Sequence, residues 1–132
     1  MSAIELELRE LNLGREGLVR LALNAAEQLV RGSPGEAEHE PRLGRVRSWL
    51  AGPSEDKTQA VAKLLADESA RNDPGRLERS NDRSKAVYYL LLAVSAEDPH
   101  PRVAAVLQAF ERACGVPARR ALVRAHAGAA AK

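Results

Sequence analysis

Aromatic residues are nearly missing from this chain of 132 residues: one Trp, one Phe and two Tyr make up 3% of it. Single-stranded nucleic-acid grooves use aromatic platforms on which bases stack, and this chain has few to offer. Cysteine is equally scarce. Cys114 stands alone, so no intrachain disulfide can form and no oxidising compartment is required. Long apolar runs are missing too. The most apolar stretch, "KAVYYLLLAV" at 85–94, falls well short of the ~20 residues that cross a bilayer. The opening "MSAIELELRE" is charged where a secretory signal would be apolar. A cytoplasmic protein without membrane contact is the expectation.

An excess of one charge is also lacking. Lys and Arg number 20 and Asp and Glu 18, for a net charge of +2. Sixteen of the basic residues are arginine. A dedicated nucleic-acid binder concentrates its positive charge in a patch, which this balance argues against.

The familiar chemical motifs are missing as well. There is no Walker A loop, no G-x-G-x-x-G, no G-x-S-x-G elbow and no H-E-x-x-H. Gly14 and Gly17 make only G-x-x-G. His39, His100 and His126 are scattered without metal-ligand spacing, so they read as solvent-exposed loop and terminal histidines. Cys114 continues the apolar stripe of its helix and reads as a buried structural thiol. No metal or cofactor is expected, and nothing requires an enzyme. A dispersed catalytic site would have to draw on residues such as His100, Tyr88 and Glu111.

What is abundant is alanine and leucine, which lose little entropy in a helix. The hydrophobic fraction of 45% supports a real core. Residues 3–12 suggest a short helix, although "IELEL" also alternates like a strand. Leu18, Leu21, Ala22, Ala25 and Leu29 share one face of a helix over 18–31, which Gly32 stops. "SPGEAEHEP" at 33–41 reads as a polar connection. Pro41 then opens a helix to Ala51 with a stripe of Leu43, Val46 and Leu50. Trp49 beside that stripe points to the core, its indole N–H reaching a loop carbonyl, or to a partner.

Ser54 is a natural cap for a helix to about Ala70, burying Ala60, Val61, Leu64 and Leu65. Residues 71–83 form a long charged connection with a turn at Asp73-Pro74-Gly75. The helix over 84–95 is apolar nearly all round and should be central, with Leu91 in the core. Tyr88 and Tyr89 point about 100° apart on it, too divergent for one aromatic wall. Asp98 caps the next helix, which Gly115 ends, and Pro117 starts a last one with Leu122 and Val123 inward. The expected fold is all-α. About five to six helices form antiparallel hairpins in a bundle or short solenoid, as one domain over 1–132 with a frayed tail at 127–132.

Two resemblances add to this. "EDPHPRVAAVLQAFERACG" is similar to one helix of a HEAT-type repeat, with a Pro-containing corner before an Arg and an apolar-Ala run. No regular period runs along the chain. The run "LALNAAEQLV…GEAEHEPRLGRVRSWLAG…TQAVAKLLADESA" resembles small helical immunity proteins of bacterial polymorphic toxin systems. Its distinctive part is "EPRLGRVRSWLAG", with Pro41, Arg42, Trp49, Leu50 and Gly52, and it covers about residues 20–70. The second half departs, with "AVYYLLLAV" in place of a more Ala-rich helix. The resemblance implies a non-catalytic protein that binds and blocks a cognate toxin.

Surfaces between rigid helices carry recognition. The candidate partner-binding residues are therefore Glu36, Glu38 and Glu40 in the acidic connection, Arg42 on the helix that follows it, and Arg76, Arg79 and Arg83 in the charged connection. Three arginine groups supply an alternative as a nucleic-acid-binding accessory protein: Arg42, Arg45 and Arg47; Arg76, Arg79 and Arg83; and Arg119, Arg120 and Arg124. An extra apolar face on so small a domain can also be buried in a homodimer.

Overall fold

The computed structural model describes residues 2–71 and 81–130, with side chains over 2–66 and 81–127. Helices run over Ala3–Glu10 (α1), Arg15–Val30 (α2), Glu36–Ala51 (α3), Glu55–Arg71 (α4), Asp82–Ser95 (α5), His100–Cys114 (α6) and Val116–Ala130 (α7). The described residues thus contain seven helices and no strand, more helices than the five to six expected. The first of them settles the ambiguity of "IELEL". Ser2 caps α1 by accepting a hydrogen bond from the Glu5 amide at 3.1 Å, Glu5 pairs with Arg9 one turn on, and Leu8 is fully buried.

Helix α2 starts at Arg15, three residues earlier than its apolar pattern suggests. The Arg15 guanidinium donates to the carbonyls of Ala93, Val94 and Glu97 at 3.0–3.3 Å, which holds that first turn in place. Its counterpart at the other end is Arg83, whose Nε donates to the Leu29 carbonyl at 2.9 Å. Each of the antiparallel helices α2 and α5 thus sends an arginine from its first turn to the carbonyl end of the other. This satisfies groups that a helix leaves bare and places positive charge at the negative ends of both dipoles.

Nine residues of α2 are buried, among them Leu18, Leu21 and Leu29. Six of α5 are buried, including Leu90 and Leu91 at zero exposure. Six of α6 are buried as well, including Phe110, so the centre of the molecule is shared among α2, α5 and α6. Helix α2 packs against α3, α5, α6 and α7, and α5 against α2, α3, α4 and α6. Contacts this far apart in sequence describe a bundle, since the units of a solenoid touch only their neighbours. Tyr88 and Tyr89 are half-buried on α5. Their rings meet edge to face, 5.7 Å apart at 74°, so side-chain torsions close the angle that the backbone opens.

The outer helices are less buried than expected. Of Ala60, Val61, Leu64 and Leu65, only Val61 is fully covered, because α4 packs chiefly on α3 and α5 at the edge of the bundle. Ser54 caps α4 as expected, accepting from the Lys57 amide at 3.2 Å. Trp49 is in the core at 4% exposure. Its indole N–H donates to the Thr58 hydroxyl at 3.0 Å, not to a loop carbonyl, and that hydroxyl donates onward to the Ser54 carbonyl. The α3–α4 hairpin is thereby locked by one polar chain.

Asp98 accepts from the His100 amide at the start of α6. Cys114, expected to be buried, is exposed. It is the last residue of α6, and the backbone turns away at Gly115, whose φ of +99° suits glycine. Helix α7 then buries Leu122 and Val123 as its sequence indicates. Of the tail at 127–132, residues 131–132 and the side chains of 128–130 lie outside the described residues.

Candidate functional site

The stretch read as a polar connection, 33–41, is helical from Glu36 onward. The helix runs through Pro41, which lies at its sixth position and is exposed. Proline has no N–H to give the carbonyl one turn back, so isolated propensity disfavours a helix here. Side-chain bonds support the turn instead. The Glu36 carboxylate accepts from the Gly32 amide at 3.1 Å, and Arg42 Nη1 donates to the Glu38 carbonyl at 2.9 Å. Glu40 pairs with Arg47 at 2.5 Å, and Arg47 also reaches Glu27 on α2 at 3.1 Å. The hydrogen bond from Arg47 holds the Glu40 carboxyl below its ordinary pKa.

Glu36, Glu38 and Glu40 are all exposed. They form an acidic cluster at the start of a helix braced from behind by α2 and α5, with Glu36 and Glu40 on one flank, Glu38 on the other and Arg42 one turn on. Arg83 caps α2, as described, and is exposed. Both Arg42 and Arg83 lie near enough to His39 to disfavour its protonation, so the fold gathers the start of α3 and the start of α5 at one end of the molecule. Arg76 and Arg79 lie outside the described residues.

His39 is the residue that sequence reasoning missed. It is buried at 8% exposure, and its Nδ1 has no hydrogen-bond partner among the described residues. Burial lowers its pKa first, Arg42 and Arg83 lower it further, and Glu38 partly opposes them. A signal was present: His39 precedes Leu43, Val46 and Trp49 at helical spacing and extends their stripe by one turn. Reading 33–41 as a loop hid it.

Four arginines of the three groups, Arg42, Arg47, Arg83 and Arg119, make bonds within the fold. Arg119 is buried between α1, α6 and α7, bonding Glu7 at 2.5 Å and Glu111 at 2.9 Å. Burial alone would lower its pKa; the bonds from Glu111 and Glu7 reverse that, and the net shift is upward. Arg112 pairs with Asp82 at 3.0 Å. Arg45, Arg120 and Arg124 are exposed.

The dispersed catalytic set does not converge. His100 and Glu111 stand eleven residues apart on the same helix, ~16 Å along its axis at 1.5 Å per residue. His100 Nδ1 is bound to Asp98 at 2.7 Å, Asp98 to Arg9 at 2.6 Å, and Glu111 to Arg119. Among the described residues no three His, Cys, Asp or Glu side chains gather as metal ligands, and no helix is long and apolar enough to cross a membrane. No family model, curated protein or solved structure matches this chain.

Proposed function

We propose that this chain is a non-catalytic helical module that binds a protein partner through the acidic cluster at the start of α3. The single observation that carries the reading is the exposure of Glu36, Glu38 and Glu40 on a helix backed by the bundle core. Charges held on a rigid element lose less entropy on association than charges on a loop, and they steer a basic surface into register. The resemblance of residues 20–70 to small immunity proteins supplies the class of partner: a bacterial toxin neutralised by binding.

Glu38 is the residue to test, because its carboxylate is exposed on the outside of the turn. Binding is measured by titrating the protein encoded by the neighbouring gene with the wild-type chain and with Glu38→Lys. Charge reversal is expected to weaken association at least tenfold, mainly through the on-rate, with helicity unchanged. Undiminished binding by the variant places the contact elsewhere, and no binding by the wild type removes this partner.

The alternative, a nucleic-acid-binding accessory role, draws on exposed Arg120 and Arg124, one turn apart on α7, and on exposed Arg45. A salt titration with DNA and RNA decides it, since phosphate contacts weaken steeply as salt rises. Absence of binding at low salt ends the idea.

A further inference from the structure

His39 is the one buried residue between Val30 and Leu43. The first turn of α3 therefore reaches the core through an imidazole alone. The rest of that turn is held by bonds at the surface, from the Gly32 amide to Glu36, from Arg42 to the Glu38 carbonyl and from Arg47 to Glu40. Its N-cap, Gly35, offers no side-chain oxygen, and Pro41 cannot donate to the carbonyl of Ala37. The imidazole packs over Gly35, where an added Cβ would lie 3.6 Å from its Cδ2 and Nε2 atoms.

A neutral ring suits this place and a charged one does not. An imidazolium would lose its water, would face Arg42 on its own helix and Arg83 from α5, and would sit near the positive end of the α3 dipole. Glu38 is the one described carboxylate that acts on it in the other direction, and none of the acting charges comes from α2 or α4.

We infer that His39 is a proton-operated latch: neutral, it holds 36–40 helical against the bundle, and protonated, it leaves the core and returns that segment to the polar connection its sequence favours. The latched segment carries Glu36, Glu38 and Glu40, so acid would dismantle the acidic cluster. That consequence rests on the proposed binding role; the latch itself does not.

The sign follows from linkage. The closed form holds the ring below the ordinary histidine pKa of about 6.5, so it binds fewer protons than the open form. The latch is at full strength above that value and weakens as pH falls below it, through the lowered pKa of the closed form. The loss is up to about tenfold in the closing equilibrium per pH unit.

Amide hydrogen exchange on the full chain between pH 7.5 and 5, corrected for intrinsic rates, tests this. Protection of amides 36–40 should fall up to about tenfold per unit below about pH 6.5, with core amides of α2 and α5 remaining far better protected throughout. His39→Leu keeps an apolar plug in the stripe and should make that protection independent of pH. Flat protection in the wild type, or an equal fall in the variant, overturns the latch. Should His39→Leu fail to fold, the wild-type imidazole decides. Titration below the ordinary value, tracking the 36–40 amides, supports the latch, and titration at or above it overturns it. No partner is present in either measurement, so failure of the binding role leaves both outcomes readable.

Discussion

Leu91 and Arg119 are both buried, yet they respond to substitution by different physics. Leu91 is wholly enclosed on α5, so Leu91→Ala removes apolar contacts and leaves a cavity. The expected cost is about 2–5 kcal/mol in urea-induced unfolding. Arg119 is a buried cation whose carboxylate partners are partly in water. Arg119→Met keeps the stem and removes the charge, so it should be close to neutral. Glu111→Ala leaves the buried guanidinium with Glu7 as its remaining carboxylate partner and should cost more, about 1 kcal/mol after allowance for the partial exposure of Glu111. A larger loss for Arg119→Met than for Glu111→Ala would reverse this assignment. Leu91 was legible in the sequence because apolar residues at helical spacing have one destination. Arg119 was not, since an arginine beside Arg120 reads as surface until Glu7, from the far end of the chain, is folded against it.

Among the elements, the α3–α4 hairpin is the most instructive. Its indole-to-hydroxyl bond joins two helices through Thr58, and Thr58→Val keeps the shape while removing the acceptor. Trp49 would then be buried with an unpaired N–H, a loss of about 1–3 kcal/mol. Trp49 is also the only tryptophan, so its fluorescence reports on this hairpin directly. An unchanged unfolding midpoint would show that the bond contributes nothing. The Asn81 cap of α5 makes a simpler case. Its side chain accepts from the Ser84 amide at 2.9 Å, and Asn81→Ala should lower stability by about 1 kcal/mol. Caps and stops were readable because they act within a few residues. The start of α3 was not, because local signals favour a loop there. Pro34, Gly35 and Pro41 argue against the helix that His39, Arg42 and Arg47 support, and the carboxylates that favour its first turn read equally as a polar linker.

At the scale of the whole molecule, stability should respond to acid in two windows. Below about pH 6.5 the lowered pKa of His39 draws protons to the less ordered states, and stability falls. Below about pH 4 the carboxylates follow. Asp98 is held well below the ordinary carboxylate range by its hydrogen bond from Arg9, with further bonds from the His100 side chain and amide. Its contribution is present above the ordinary value and disappears as pH falls through the lowered one. Thermal unfolding followed across pH 2–8 should show both declines. Asp98→Asn should flatten the lower one and leave the upper one unchanged. A single decline, untouched by either His39→Leu or Asp98→Asn, would assign the acid response to other groups.

The sequence by itself determined that this protein is helical, where most helices stop, and which leucines and valines of α2, α5 and α6 lie inside. Each of those outcomes follows from spacing and capping within a few residues. Only the tertiary structure decided that α2 shares the centre with α5 and α6, that Arg119 is a buried cation, and that the acidic stretch is a helix held in part by a histidine. The common reason is that these depend on groups distant in sequence. Burial of Arg119 needs Glu7, the ends of α2 and α5 need each other's arginines, and the first turn of α3 needs a core to receive His39. The "KAVYYLLLAV" segment joins both kinds of knowledge: its pattern announced a core helix, and only packing showed that its two tyrosines meet.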